Sequence, residues 1–446
     1  MPNPTFSFPK SEYLKHNALE IQPSVSTHLS SRQLDYFVWA SYQIFRGNLI
    51  HKDKEDSSCL FYQGRLNVFR PLKSFHAKNS IVGWFDQTEE ANYQKNKAAA
   101  WQITSQARHI YQAIIDFTMS DKKQIIKMIG SEACPKKHPT GIAKLTKTGN
   151  IATFKKLKVR SEMPIDIQKL QDLFHKKNWE EHYETKIQIF DLLTYCFIKK
   201  GQIVLPQIYT QYPTGRLYLP GISLQNVKKE IRRTVTSGFE YDIENCHYAI
   251  LNQLGSKYKT QTPYITDYLS NKREWRESLA EETEFSTNEV KTILLSFIYG
   301  ASMKKFGFFT SKQDEERQMF LYTTFGKDGV AKIANSKRFL GVYNEIQNCK
   351  EIIIDNHKNT YKFRGDVVYN AWDFYVKDNT KNQNFAHIIQ GYESLFLKII
   401  LENINSEADL LQHDGLTLPQ EEDFEKIQNK IFQETGFEVS FSCSKV

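Results

Sequence analysis

The amino-acid sequence predicts an α+β protein of several domains. Apolar residues recur every three to four positions over long segments, which is typical of amphipathic helices. Short segments of alternating apolar and polar residues end at turn signals, which is typical of paired strands. The chain has 446 residues, enough for two to four domains. Hydrophobic residues make up 40% and charged residues 25%, an ordinary composition for a globular protein.

The charge of the chain is compatible with a polyanionic partner. The formal net charge is +8, and clustered Lys and Arg side chains release counterions when they bind nucleic acid. Basic clusters lie in Gly149–Arg160 and at Lys228, Lys229, Arg232 and Arg233. Each cluster taken alone is more typical of a solvated face, so charge by itself does not identify the partner.

The cysteines and the apolar segments indicate the cellular compartment in which the protein is expected. Six cysteines are scattered without a Cys-x-x-Cys pair, which argues against a disulfide framework or a zinc site and favours a reducing compartment. No segment approaches the roughly 20 apolar residues that span a bilayer, so no membrane partner is expected. We expect a cytoplasmic protein of a bacterial, phage or mobile-element host cell, with an organelle as the alternative.

The first 200 residues contain secondary-structure signals but no recognisable chemistry. Apolar spacing predicts a helix within Tyr93–Phe117. The Lys- and Thr-rich segment Gly141–Val159 alternates around a turn and predicts a hairpin. The pattern of Asp166–Lys199 predicts two helices. Residues 1–150 are expected to form an N-terminal domain, α/β or mostly helical, without an assigned role.

The segment Phe239–Leu251 is the first that carries chemistry. Alternating apolar residues predict a strand, and Tyr248 suits the start of a helix. Asp242 therefore lies at a strand end, the usual place of a metal-binding carboxylate. Two alternatives stay open. Asp242 and Glu244 cap the following helix, or they form the Asp-x-Glu signature of an RNase-H-like 3′→5′ exonuclease, which needs further acidic motifs downstream.

The segment Ser286–Gly300 predicts a helix that meets a phosphate group. Its first residue and Glu289 form a capping box, so a helix begins there. Lys291, Leu295 and Tyr299 lie near one face. A Lys one turn inside a helix N-terminus is well placed for a triphosphate, because free N–H groups and the helix dipole assist it. The alternative is an amphipathic core helix with one exposed Lys.

Two shorter motifs complete the pattern. In Thr214–Leu217, Gly215 lets the backbone turn closely against a ligand while Arg216 reaches a phosphate or base edge. The alternative is a surface turn. Ala408–Leu418 contains an Asp-Gly step between apolar residues, a hairpin signal. Its Asp414 serves only the turn unless it faces a second carboxylate.

In this order the motifs resemble those of family A DNA polymerases, the bacterial repair-polymerase type. The likeness includes the family's TGRL and LQN segments, its first palm motif, its fingers helix, its Gln-Gly segment and its His-Asp hairpin. The matching segments are Thr214–Leu217, Leu224–Asn226, Asp242–Ala249, Lys291–Gly300, Gln390–Gly391 and His413–Asp414. They span a little over half of the chain.

The resemblance implies a DNA polymerase and a role for each matching residue. It implies that Asp242 and Asp414 hold two Mg²⁺ ions, with Mn²⁺ as an alternative, which activate the primer 3′-hydroxyl and stabilise the leaving pyrophosphate. The resemblance also implies that Lys291 is the third catalytic residue and contacts the incoming dNTP. The implied nucleotide-binding residues are Lys291, Tyr299, His247 and Leu295. The implied contacts to the primer–template are Arg216, Gln225, Asn226, Gln390 and His413.

The resemblance also implies a right-hand architecture with an antiparallel palm sheet, helical fingers and a reduced thumb. The implied boundaries are 1–150 for the N-terminal domain, 151–200 for a thumb-like helical region, 201–253 and 349–446 for the palm, and 254–348 for the fingers. The N-terminal domain replaces the family's exonuclease domain, and the template, a priming protein or another accessory partner are its candidate ligands. DNA replication and DNA repair are both compatible roles.

Three positions depart from the family's pattern. His247 stands where the family's Glu excludes the ribose 2′-hydroxyl, Thr287 where it has a second phosphate-binding Arg, and Gly415 where it has a carboxylate. Single-subunit RNA polymerases also lack the last Glu, so an RNA polymerase or primase-like enzyme that uses NTPs is the closest alternative. A bulky residue at position 247 favours the DNA enzyme. A non-catalytic nucleic-acid-binding module is the remaining alternative.

Overall fold

The structure is a computed structural model of the 446-residue chain. The residues that it describes are 13, 42, 59–60, 85–89, 100–103, 105–130, 158–219, 223–303, 312–361, 365–377 and 379–446. The hairpin predicted for Gly141–Val159 lies outside them, except for its last two residues.

The chain forms two compact units, and each is assembled from three separate stretches of sequence. The first unit comprises Met1–His138, Ser161–Gln207 and Gly221–Thr236, and the second comprises Pro139–Arg160, Ile208–Pro220 and Ser237–Val446. The polymerase subdomain boundaries implied by the resemblance fall at other residues than the boundaries of these two units, and they stay predictions.

Helices and two small sheets make up the described part of the first unit. Its helices are α1 Ser105–Ser120, α2 Lys122–Gly130, α3 Ile167–His175, α4 Trp179–Thr194 and α5 Lys229–Val235. Its strands are β1 Cys59–Leu60, β2 Phe85–Glu89, β3 Ala100–Ile103, β4 Glu162–Pro164, β5 Phe197–Lys199 and β6 Gln202–Pro206. Strand β3 pairs with β1 and β2, and β6 pairs with β4 and β5, all antiparallel.

Two sequence predictions are tested in the first unit. Asp166–Lys199 does contain two helices, α3 and α4, because the side chains of Asp166 and Asn178 accept hydrogen bonds from the first turn of each. The helix predicted within Tyr93–Phe117 is wrong in its first part, where β3 forms, and α1 begins only after that strand. Strand pairing on both sides of β3 outweighs the local apolar spacing.

The second unit holds all the predicted site residues except Gln225 and Asn226. Its helices are α6 Cys246–Lys257, α7 Pro263–Ser270, α8 Lys272–Thr283, α9 Thr287–Ile298, α10 Lys312–Asn335, α11 Lys337–Asn356, α12 Lys381–Asn403 and α13 Phe424–Thr435. Its strands are β7 Thr210–Gln211, β8 Leu217–Tyr218, β9 Phe239–Ile243, β10 Lys358–Tyr361, β11 Gly365–Tyr369, β12 Tyr375–Lys377, β13 Leu410–Leu411, β14 Gly415–Leu418 and β15 Phe441–Lys445. They form sheets of order β13-β14-β9-β15, β10-β11-β12 and β7-β8.

Helix α12 is a central element of the second unit's core. It is buried over most of its length and packs against α6, α11 and α13. Helix α9 buries its apolar face against α8, α10 and α11. Burial of apolar area stabilises this arrangement by roughly 25 cal/mol per Å². The polar side chains that these helices carry are therefore held by a packed apolar framework.

Helices and small antiparallel sheets in one chain make an α+β fold, and this part of the fold-class prediction is confirmed. The strand ladders of the described residues are all antiparallel. The arrangement of palm, fingers and thumb stays a prediction. None of the helices that the structure describes combines the length and the apolar character needed to cross a bilayer.

Candidate active site

Asp242 and Asp414, predicted as metal ligands, meet across a pair of neighbouring strands. Asp242 is the fourth residue of β9, and Asp414 directly precedes β14. The antiparallel register places Gly415 opposite Asp242, and the Ile243 N–H donates to the Asp414 carbonyl oxygen at 2.8 Å. The two carboxyl side chains are in hydrogen-bond contact. Asp414 therefore faces a second carboxyl group, which is the condition under which it has a role beyond the turn.

The surroundings of Asp414 make its negative charge costly. Burial raises the pKa of the Asp414 carboxyl, and the negative charge of Glu393 raises it further, whereas His247 and the contact with Asp242 act in the opposite direction. The Asp242 side chain is exposed. The negative charge of Asp414 is therefore less favourable in this site than in water.

Gly415 allows β14 to approach β9 closely at the carboxylate pair. A Cβ atom on this residue would lie 2.9 Å from Oδ1 of Asp242 and closer still to the carbonyl oxygen of Tyr241. Both separations are shorter than van der Waals contact, so any side chain at Gly415 requires the two strands to move apart. The close approach of β14 to β9 therefore depends on glycine at position 415.

The helix that follows β9 is not capped in the way that one alternative expects. The N-cap residue of α6 is Asn245, which has a φ of 48° and makes no side-chain capping hydrogen bond. The Glu244 N–H donates to the Ser440 carbonyl oxygen, and the Glu244 side chain is exposed. Within the described residues, His, Cys, Asp and Glu form no group of three or more suited to a metal, so the further acidic ligands of an exonuclease are not found there.

A buried ion cluster adjoins the carboxylate pair and is centred on Glu393 of α12. The Glu393 side chain is 0% exposed, and its Oε2 accepts hydrogen bonds from Nη2 of Arg216 and, at 2.6 Å, from Nε2 of His247. Nη2 of Arg216 lies 3.2 Å from Nε2 of His247. Burial raises the pKa of Glu393, but the charges of His247 and Arg216 outweigh it and hold the pKa at about 2. Glu393 is therefore charged at neutral pH.

Glu393→Gln is expected to remove an acid-sensitive part of the protein's stability. The pKa of Glu393 in the folded protein, about 2, lies below that of an unfolded glutamate. Its contribution is therefore fully present above the unfolded value and is lost as pH falls toward the folded one. At neutral pH the variant leaves the Arg216 charge buried without its partner, which costs about 3–5 kcal/mol. Chemical unfolding from neutral pH down to the folded pKa measures how this difference shrinks.

Glu345→Gln is the matched control for that experiment. Burial raises the pKa of the Glu345 carboxyl, although the backbone N–H groups of Tyr264 and Ile265 oppose the shift. A raised pKa disfavours the charged form, so the contribution of Glu345 is fully present below the unfolded pKa and falls as pH rises. The two variants should diverge from wild type in opposite directions with pH. Parallel pH profiles would contradict the charge state assigned to Glu393.

Tyr299 and His247 meet at the C-terminal end of α9. The Tyr299 hydroxyl lies 3.2 Å from Nδ1 of His247, and the two rings meet edge to face with centroids 5.5 Å apart. Burial raises the pKa of Tyr299. A carboxylate only accepts hydrogen bonds, so Nε2 of His247 carries the hydrogen that points to Glu393. The imidazole is thus held by one partner at each nitrogen.

His413 and Arg216 occupy the same buried region. The His413 ring lies 4.7 Å from the ring of Tyr218. Burial and the charge of Arg216 lower the pKa of His413, while Glu393 and Asp414 oppose them. Nδ1 of His413 and Nε of Arg216 have no hydrogen-bond partner among the described residues. The predicted site residues that the structure brings together are Asp242, Asp414, Arg216, His247, Tyr299 and His413.

Lys291 and Leu295 lie on the exposed face of α9. The predicted capping box is confirmed, because the Ser286 hydroxyl accepts from the Glu289 N–H and the Glu289 carboxylate accepts from the Ser286 N–H. Lys291 makes no ion pair with a residue that the structure describes. The buried face of the helix carries Val290, Ile293, Leu294, Phe297 and Ile298. The helix is therefore amphipathic, as the alternative expects, and Lys291 lies on its exposed face.

The remaining predicted contacts to nucleic acid are Gln390, Gln225 and Asn226. Gln390 is partly exposed and lies on α12 one turn before Glu393. Gln225 and Asn226 belong to the first unit, where the Asn226 side chain accepts a hydrogen bond from the Ser223 N–H at 2.8 Å. Their roles in nucleic-acid binding stay predictions.

Glu393 is the site residue that sequence reasoning missed. The signal was present, because Glu393 falls at helical spacing with the apolar residues Ile389, Phe396 and Ile400. An acidic residue on the core-facing stripe of a helix needs a buried cationic partner. The partner, Arg216, lies far away in the sequence, so the pairing itself is visible only in the fold.

Comparisons with known proteins do not assign a family. No family model matches the sequence. The putative helicase V13 of Sputnik virophage is 32% identical over 94 residues, which cover 20% of this chain and 12% of that protein. The POL domain of Pol1 from M. smegmatis, solved with a DNA primer-template and dNTP, is similar with a TM-score of 0.39 and 14% identity, over 73% of this chain and 60% of that one. The chain thus spans less than two thirds of the length of either protein.

Proposed function

We propose that the chain is a template-directed DNA polymerase that adds deoxynucleotides to a primer 3′-hydroxyl. The observation that carries this proposal is the contact between the Asp242 and Asp414 carboxyl groups on neighbouring strands β9 and β14. Paired carboxylates that hold divalent cations are the working part of two-metal nucleotidyl transfer. Primer–template and dNTPs are the proposed partners.

The donor set suits Mg²⁺. Mg²⁺ keeps several waters and is usually held by one or two carboxylates together with substrate phosphates. Asp242 and Asp414 supply such a pair, and no third His, Cys, Asp or Glu of the described part completes a closed cage around them. Mn²⁺ accepts the same oxygen ligands. When bound, the ions activate the 3′-hydroxyl and stabilise the charge of the departing pyrophosphate.

The protein's own side chains would bind and orient the nucleotide. Lys291 is an exposed cation one turn inside the N-terminal end of α9, where the helix dipole adds to its attraction for a triphosphate. Leu295 follows one turn later on the same exposed face. Tyr299 and His247 contact each other at the other end of the helix. This arrangement suits a nucleotide whose phosphates and sugar lie at opposite ends of α9.

An RNA polymerase or primase-like enzyme is the second candidate, and one observation favours it. Gly415 cannot carry the carboxylate of the DNA enzymes without displacing β9, and single-subunit RNA polymerases resemble this chain there. His247 favours the DNA enzyme, because its ring is held by Glu393 and Tyr299 and does not yield space easily. A non-catalytic nucleic-acid-binding module would have no use for the carboxylate pair.

Primer extension with dNTPs and with NTPs, on DNA and on RNA templates, separates these candidates. We expect Mg²⁺-dependent extension with dNTPs. Preferred extension with NTPs would replace the proposal by the RNA polymerase. Binding of primer–template without extension under any of these conditions would leave the non-catalytic module.

Lys291→Ala is expected to raise the KM for the incoming dNTP by roughly 10- to 100-fold with little change in kcat. A hydrogen bond to a charged group contributes about 1.5–3 kcal/mol to binding, and Lys291 is not part of the folded core. Steady-state primer extension at varied dNTP concentration measures the effect. Lys337→Ala, at the exposed start of α11, is the matched control and should keep the wild-type KM. Equal KM values for both variants would remove Lys291 from the nucleotide site.

A further inference from the structure

A single carboxylate oxygen holds the Nε2 side of the His247 ring. Oε2 of Glu393 accepts from Nε2 of His247 at 2.6 Å and also from Arg216, while Oε1 of Glu393 has no hydrogen-bond partner among the described residues. Nδ1 of His247 contacts Tyr299. Withdrawal of Oε2 therefore removes the acceptor of the Nε2 hydrogen, because Nη2 of Arg216 beside it is also a donor.

We propose that Glu393 is a positioning residue for sugar selection, acting through His247. The proposal rests on the polymerase function proposed above. It extends that function, because Glu393 lies on α12, whereas the proposed phosphate site lies on α9. Glu393 holds the imidazole ring edge to face with Tyr299. In this orientation the ring occupies the space that a ribose 2′-hydroxyl requires.

The residues beside Glu393 show that its own position is tightly set. The Ser394 hydroxyl donates to the Thr214 carbonyl oxygen at 3.0 Å and accepts from Nε1 of Trp372 at 2.8 Å. Gly215, which has a φ of 86°, leaves no room for a Cβ atom against Ser394 and Trp372. The turn that carries Arg216 is therefore fixed to α12 next to Glu393.

The ring has little freedom while this cluster is intact. The His247 side chain is 10% exposed and the Glu393 side chain 0% exposed, so water cannot replace a lost contact cheaply. Without Oε2 in place, rotation of the imidazole away from Tyr299 becomes accessible. The expected consequence is weaker discrimination against ribonucleotides. Removal of the ring itself by His247→Ala should have the same effect.

Glu393→Asp tests this role with least risk to the fold. Aspartate keeps the negative charge near Arg216 but draws the oxygen back from His247 by one methylene group. We expect the ratio of kcat/KM for dNTP to kcat/KM for NTP to fall about tenfold, mainly through a lower KM for NTP. His247→Ala should lower the ratio to a similar extent. The double variant should resemble His247→Ala alone, because one residue acts through the other.

The outcomes separate the two proposals. If Glu393 has a purely structural role, Glu393→Asp lowers kcat for both nucleotides and leaves the dNTP-to-NTP ratio of kcat/KM unchanged. That result would overturn the inference, whereas extension by the wild-type chain would still support the proposed polymerase function. Additive effects in the double variant would overturn it as well. Absence of extension by the wild-type chain would defeat the proposed function and the inference with it. Glu345→Gln, a buried carboxyl far along the chain on α11, controls for general loss of stability and should keep the wild-type ratio.

Discussion

Asp414→Asn and Asp242→Asn are each expected to lower primer extension by about a thousand-fold or more, the largest effect of any substitution in this chain. Asparagine keeps the size of aspartate but cannot supply a negative charge to a divalent cation. The two carboxyl groups share one hydrogen-bond contact across β9 and β14, so loss of either leaves half of the proposed cation site. Single-turnover extension with saturating dNTP and Mg²⁺ measures the loss.

The stability of Asp414→Asn separates chemistry from folding. Burial raises the pKa of the Asp414 carboxyl, which means that its charge costs stability above the unfolded pKa and that this cost grows as pH rises through the folded one. A neutral asparagine removes the cost. We therefore expect an unchanged or higher Tm at neutral pH together with the loss of activity.

Glu244→Gln is the control for the carboxylate pair. Glu244 lies two residues after Asp242, and its side chain is exposed. Extension by this variant should match the wild type, whereas an exonuclease that used the Asp-x-Glu pair would lose its activity with Glu244. Extension that survives both Asp242→Asn and Asp414→Asn would exclude these residues as the catalytic pair.

Gly415→Glu is expected to abolish activity and to destabilise the second unit, although it introduces the residue type that family A DNA polymerases carry at this position. A Cβ atom there would lie 2.9 Å from Oδ1 of Asp242 and closer still to the Tyr241 carbonyl oxygen. Overpacking of this kind costs about 1–3 kcal/mol. The backbone of β9 must shift, and Asp242 shifts with it. Gly415→Ala should show most of the same effect, because the clash begins at Cβ.

Gly130→Ala is the matched glycine control. Its Cβ would meet only Cδ1 of Ile198 at 3.7 Å, an ordinary contact, so the free energy of unfolding should change by no more than about 1 kcal/mol. Thermal unfolding of both variants, with primer extension for Gly415→Ala, provides the comparison. A Gly415→Glu variant as stable and active as the wild type would show that the strands separate without cost.

The local elements of the site could be predicted from the sequence. The capping box at Ser286 and Glu289, the strand that carries Asp242 and the hairpin at Asp414 all form as expected. Each depends on contacts between residues a few positions apart, and such contacts follow directly from residue type and spacing. The helix predicted within Tyr93–Phe117 failed where the pairing partners of β3 lie elsewhere in the chain.

The sequence by itself determined where the capped helix, the strand of Asp242 and the hairpin of Asp414 form, because short-range spacing sets the faces of helices and the ends of strands. Only the tertiary structure decided that Asp242 touches Asp414, that Glu393 binds Arg216 and His247, and that Gly415 has no room for a carboxylate. These contacts join segments far apart in the chain. They depend on strand register and on helix packing, which many residues settle together and which no single motif encodes.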